Sequence, residues 1–253
     1  YSNAANQNCS ALGICSSSEG EGSTAISTAS HAEGFQTTAQ GTGSHAEGYQ
    51  SETSANYAHA EGYQTEATNI ASHSEGWNTS ASGLYSHAEN RNTVATSTCA
   101  HAEGEGTSAL ADAAHSEGFQ TEASGFASHA EGYQTQSIGS YSHTSGRGSV
   151  ATGTASSAVG YNLIADQQYS TVVGQYNESD REGTLFVVGS GESDANRANA
   201  FEVSADGALV NGDMEVSGVL SINGDNVLQI IAALQVQIES LQLQIDNLNN
   251  GGE

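Results

Sequence analysis

Along residues 13–176, small side chains alternate with variable ones and glycine recurs on a beat of seven. From Gly13 to Gly174, 17 of the 24 positions spaced by seven are glycine, and Asn69 and Asn90 fill two more, so the beat is structural. Gly and Asn tolerate positive φ, which predicts a turn every seven residues. The beat also matches a coiled coil, but glycine on it would cost a helix about 1 kcal/mol each time. Short strands of about five residues closed by tight turns fit instead. Side chains alternate across a strand. One set is then Ser30, Ala32, Gly34, Thr37, Ala39 and Gly41, repeated as Ser128, Ala130, Gly132, Thr135, Ser137 and Gly139, and is assigned to a narrow interior. The opposite set of the second strand varies (Thr38 and Gln40, Glu52 and Ser54, Val94 and Thr96, Ser108 and Leu110), as solvent permits.

Two strands and two turns make a coil of fourteen residues. All 9 histidines fall on that spacing: His31, His45, His59, His73, His87, His101, His115, His129 and His143. Two positions after the first eight stands a glutamate: Glu33, Glu47, Glu61, Glu75, Glu89, Glu103, Glu117 and Glu131. The expected fold is mainly β, a roll over residues 1–176 with its coils counted from residue 17 to residue 171. Twelve such coils at ~4.8 Å per strand would stack to roughly 57 Å. The monotony of the His/Glu strand implies one shared environment, a face against a partner.

After about Asn177 the beat fails. Residues 177–225 carry Asp206-Gly207, Asn211-Gly212 and Asn223-Gly224 turns between apolar runs at Leu185–Val188, Ala200–Val203 and Met214–Ile222, which include Val216, Val219 and Leu220. This predicts a small β neck module. Over residues 226–250, Ile231, Ile238 and Ile245 alternate at 4-3 spacing with Leu234, Leu241 and Leu248, a coiled-coil stalk ended by Gly251-Gly252. Ile at a and Leu at d leans toward two strands, whereas Val236 and Leu243 outside that seam widen it toward a higher order.

Charge narrows the partners. The chain holds 29 Asp+Glu against 4 Lys+Arg (Arg91, Arg147, Arg181, Arg197), a formal net charge of −25, which repels nucleic acid and anionic lipid. No apolar run has the ~18 residues of a membrane span, and no signal peptide is visible, so the sequence reads as a processed or excised piece. A thin roll of Ala and Ser buries too little apolar surface to offset its ordering entropy alone, which calls for oligomerisation.

The repeat resembles the head domain of trimeric autotransporter adhesins, the YadA-like left-handed parallel β-roll, whose unit reads S-V-A-I-G-x-x-S-x-A-x-G. Ser157-Ala158-Val159-Gly160 and Ser170-Thr171-Val172-Val173-Gly174 match it, and Ser44-His45-Ala46-Glu47-Gly48 matches with His and Glu in place of the apolar pair. The resemblance covers about residues 10–176 and implies three rolls around a threefold axis, a host-surface or matrix ligand, and no catalysis. Similar repeats occur in bacteriophage tail fibres and receptor-binding appendages.

If the family's packing carries over, each layer brings three His and three Glu toward the axis. Three readings stay open: hydrogen-bonded pairs of protonated His and ionised Glu, with pairing raising the histidine pKa; a charged, pH-responsive outer surface; and a transition-metal ladder on His31 to His143 and Glu33 to Glu131, octahedral N3O3 suiting iron, manganese or zinc. No other cofactor is expected. Phe35, Tyr49, Tyr63, Trp77, Phe119, Tyr133 and Tyr161 sit at the turn edge and could seal a seam between subunits or stack on carbohydrate. The Thr column (Thr37, Thr65, Thr79, Thr93, Thr107, Thr121, Thr135) would suit ice binding only if it faced outward. Cys15 and Cys99 are too far apart to bridge within one chain, Cys9–Cys15 or interchain bonds around an axis could form, and free buried thiols are the default expectation. No catalytic constellation or phosphate loop is present. The expected protein is an extracellular, cell-surface or virion homotrimeric fibre that binds a protein or glycan receptor. Its rivals are a spacer filament without ligand and a metal- or pH-responsive trimer.

Overall fold

The computed structural model describes residues 1–179, 182–215, 221–222 and 225–250, with the side chains of 221–226 and 248–250 left aside. It is mainly β, a parallel solenoid of about thirteen turns, with a C-terminal helix. Residues Tyr1–Asn211 form one compact unit and Gly212–Glu253 another.

Each turn contributes a five-residue strand and a two-residue strand, which stack into two separate parallel sheets. Register is uniform: His31 lies opposite His45, Ala32 opposite Ala46, and Glu33 opposite Glu47, and the next rungs repeat it. The second strand is shorter than expected, as in Thr38–Ala39 or Val94–Ala95, because left-handed residues crowd the corners on both sides. The stack also begins one turn before the expected start at residue 17, and two before the first histidine. Asn3–Gln7 pairs in parallel with Ser17–Glu21, and Asn6 and Asn8 take the positive φ that Gly20 and Gly22 take one rung on.

The interior is built from small side chains. Ala32, Ala39, Ala46, Ala60, Ala88 and Ala102 are completely buried, and so are Thr37, Thr65, Thr93 and Thr107. The Thr column expected to face inward does so, and its hydroxyls are not presented to ice. Several buried hydroxyls close the corners: the Thr37, Thr79 and Thr121 Oγ1 donate to the Glu33, Glu75 and Glu117 carbonyls at 3.1–3.2 Å. Ser44 and Ser86 Oγ donate to the Gly41 and Gly83 carbonyls at 2.8 Å.

Two glycine assignments need correction. Gly34 and Gly132 do not line the interior; Gly34 is half-buried and Gly132 exposed, each the fourth of the five residues of its long strand. Their column, Gly20 to Gly174, has φ of 97–148°, and Asn90 at 78° is its one non-glycine member between those ends. The alternate beat is not left-handed, and Ser27, Ala55, Ala111 and Gln167 occupy it. The positive φ of that corner falls two residues later, on Ala29, Tyr57, Ala71, Tyr85 and Cys99 (52–60°).

At the C-terminal end the core widens around Leu163, and the Asn177 side chain closes the short-strand sheet. Asn177 accepts from the Ile164 amide at 2.8 Å and donates to the Ile164 carbonyl at 2.8 Å, as a further strand would. The expected neck segment does not start a separate sheet. Thr184–Ser190 adds in parallel to Thr171–Gln175, and Asn199–Ser204 and Gly207–Val210 follow antiparallel in the same sheet. Of the expected Met214–Ile222 strand, Val216, Val219 and Leu220 lie outside the described residues, as do the Asn223-Gly224 turn and Gly251-Gly252; Ser221–Ile222 pairs with Asp225–Asn226. The helix spans Val227–Asn250, and no helix of the described residues is long and apolar enough to cross a membrane.

Candidate functional site: the histidine–glutamate face

The long strands align every His and Glu of the repeat on one outward face of the large sheet. From His31 to His129 the imidazoles stack face to face with centroids 4.7–4.9 Å apart and planes within 7° of parallel. His143, whose next rung offers Ser157, tilts by 39°. The side chains are only partly covered: in these pairs, histidines are 34–40% exposed and glutamates 23–46%.

Pairing changes register along the column. His31, His45, His59 and His73 approach the glutamate of their own strand, Glu33, Glu47, Glu61 and Glu75, at 3.4–3.9 Å. For His87, His101, His129 and His143 the nearer carboxylate belongs to the preceding rung: His87–Glu75 4.0 Å, His101–Glu89 3.5 Å, His129–Glu117 3.1 Å and His143–Glu131 3.6 Å. His101 also faces its own Glu103 at 3.9 Å. Most of these contacts are too long for hydrogen bonds. The Nε2 atoms of His31, His45, His59, His73, His87, His101 and His115 are enclosed yet have no hydrogen-bond partner.

Stacking decides the protonation state. Burial, then repulsion from the adjacent imidazoles, lowers the pKa of His45, His73, His87 and His115, and the neighbouring glutamates only partly oppose this. In a single chain the direction for these four is opposite to the rise expected if pairing dominated. The Glu103 carboxylate is held low by hydrogen bonding to Glu89 and Glu117, Glu117 is pushed up beside Glu103, and Glu131 is held low by Ser145. Beside the imidazoles, Glu47, Glu61 and Glu75 line an open groove with Gly62, Gly76 and Asn90.

Beyond the corner run two further ladders. Phe35, Tyr49, Tyr63 and Trp77 form one continuous stack with centroids 4.1–5.0 Å apart, and Phe119 stacks on Tyr133 at 5.0 Å. Arg147 lies over the Tyr133 and Tyr161 rings, and Arg91 pairs with Glu105 at 3.2 Å. A stacked ring offers solvent its edge, so Tyr49 and Tyr63 have no free face on which a sugar could lie; that part of the carbohydrate expectation fails. An amide ladder runs alongside, Gln50 to Gln36 at 2.9 Å, Gln64 to Gln50 at 3.0 Å and Gln134 to Gln120 at 2.8 Å. Sequence reasoning passed it over, although the Gln after Phe35, Tyr49, Tyr63, Phe119 and Tyr133 signalled it. It also passed over Tyr57, Tyr85, Tyr141 and Tyr169, 58–66% exposed at the opposite corner. Cys9, Cys15 and Cys99 are free; Cys15 and Cys99 are exposed, not buried as expected.

No family model and no curated protein matches this chain. What it does must be argued from these faces.

Proposed function

We propose that the chain is part of an extracellular homotrimeric fibre, an adhesin head or tail-fibre segment of the left-handed YadA-like type, that presents its long faces to a receptor on a cell or host surface. The observation that carries this reading is the helix. Ile231, Leu234, Ile238, Leu241 and Ile245 are 46–65% exposed at 4-3 spacing, an apolar stripe that water disfavours and that matching helices of further copies would cover. The alanine-lined solenoid and the half-exposed His/Glu face support the same association. In this arrangement residues 226–250 are the coiled-coil stalk. The protein is not an enzyme: the His and Glu repeat identically rung after rung, whereas an active site needs dissimilar groups converging on one point.

Light scattering with size separation tests the assembly, and three chains per particle is the expected mass. Labelled protein on protein and glycan arrays, and on whole cells, tests display. The spacer reading gains from the covered aromatic faces, and a three-chain particle that binds no array or cell surface would favour it.

A further inference from the structure

Four groups on the His/Glu face bring three ligand atoms within 4.8 Å of one another: Glu61/His73/Glu75, His87/Glu89/His101, His101/Glu103/His115 and His115/Glu117/His129. We propose that a single chain binds first-row divalent transition-metal ions, with zinc as the probe, at three such sites along its outer face, independently of any threefold axis.

The argument starts from the enclosed Nε2 atoms. Those of His73, His87, His101 and His115 are shielded from water and have no hydrogen-bond partner, and an ion would satisfy them once the stacked rings tilt toward a common point. Mixed nitrogen and carboxylate donors favour zinc, iron or nickel over magnesium or calcium. Tetrahedral zinc with Zn–N and Zn–O of about 2.0–2.2 Å needs ligand atoms about 3.4 Å apart. The His101 Nε2–Glu89 Oε1 separation is 3.5 Å already, and the remaining atoms of that triad must close by roughly 1 Å. Two His and one Glu leave a fourth position for water. The net charge of −25 raises the local cation concentration.

Stoichiometry follows from shared ligands. His101 belongs to two triads and His115 to two, and each offers a single Nε2. Filling His101/Glu103/His115 therefore blocks both neighbours, whereas filling the two outer triads leaves the middle one empty. The most the face can hold is those two His2Glu sites plus the oxygen-rich Glu61/His73/Glu75, three ions per chain.

The test uses the full chain, stripped with chelator, dialysed against micromolar zinc near pH 7.5 and freed of unbound metal before elemental analysis. His→Ser variants are available in kind, because Ser17 and Ser157 already occupy the histidine column. We expect three zinc per chain in the parent, two in His101→Ser, one in the double variant His101→Ser/His115→Ser, and an unchanged three in His45→Ser, which is in no triad. Circular dichroism and elution volume establish that each variant keeps the parent fold. The proposal is overturned by no bound zinc, by about one ion per three chains, or by His45→Ser losing as much metal as His101→Ser.

Discussion

Gly104 and Gly106 stand two residues apart at one corner, both with positive φ, and substitution should separate them sharply. Gly104 has φ +108°, and a Cβ there would collide with the Gly118 carbonyl of the next rung. Gly106 has φ +69° in a column where Asn92 and Gln120 adopt 53° and 52°, and a Cβ there would meet only the Gln120 side chain at 3.4 Å and its Cα at 4.0 Å. Gly104→Ala incurs about 1–3 kcal/mol of backbone strain and about 1 kcal/mol for each ladder hydrogen bond lost as the rungs part. The sum is roughly 3 kcal/mol, a melting temperature about 6–12 °C lower at this chain length. Gly106→Gln places a residue already proven in that column and extends the amide ladder, so it should stay within about 1 kcal/mol of the parent. Thermal melts followed by circular dichroism measure both, and hydrogen exchange should localise the Gly104→Ala loss to the flanking rungs. Melting temperatures for the two variants within about 2 °C of each other would refute the reasoning.

Acid should destabilise the chelator-treated, metal-free protein. His45, His73, His87 and His115 have folded-state pKa values below their unfolded ones, so their contribution is complete above pH ~6.5 and is lost as pH falls from there toward the depressed values. Glu103 and Glu131, held low, add a further loss in the carboxylate range, which Glu117, pushed up, partly offsets; a melting temperature that rises between pH 7.5 and 5.5 contradicts this. Ala88→Leu, at a completely buried site, should cost about 1–3 kcal/mol by overpacking in chemical denaturation. Tyr63→Ser removes two ring contacts, at 4.8 and 4.1 Å, worth about 0.5–1.5 kcal/mol each, whereas Tyr85→Ser, at a 58% exposed ring, should change stability by only about 0.5 kcal/mol.

The solenoid was legible because its constraints are repeated. The inward Ala and Thr positions follow from alternation, and the helix start at Val227 from the onset of 4-3 spacing. The corners were less legible. Glycine marked only one of the three left-handed columns consistently, because the other two also take Ala29, Tyr57 and Gln36 at positive φ under the constraint of ladder bonds on both sides. The first rung was hidden because Asn6 and Asn8 replace the glycines and no histidine marks it. Lowered histidine pKa values were illegible for another reason: sequence places His beside Glu but cannot show that burial and the stacked sister rings outweigh the neighbouring carboxylates.

The interchangeability of the rungs has an evolutionary consequence. Excising His45 through Ala58 would join Ser44 directly to His59, and the junction would still read Ser-His-Ala-Glu-Gly. Each rung contacts only the one above and the one below, so unequal recombination between repeats of the gene could lengthen or shorten the shaft in whole steps without altering either end. Reach is then a heritable quantity that varies without redesign of the fold.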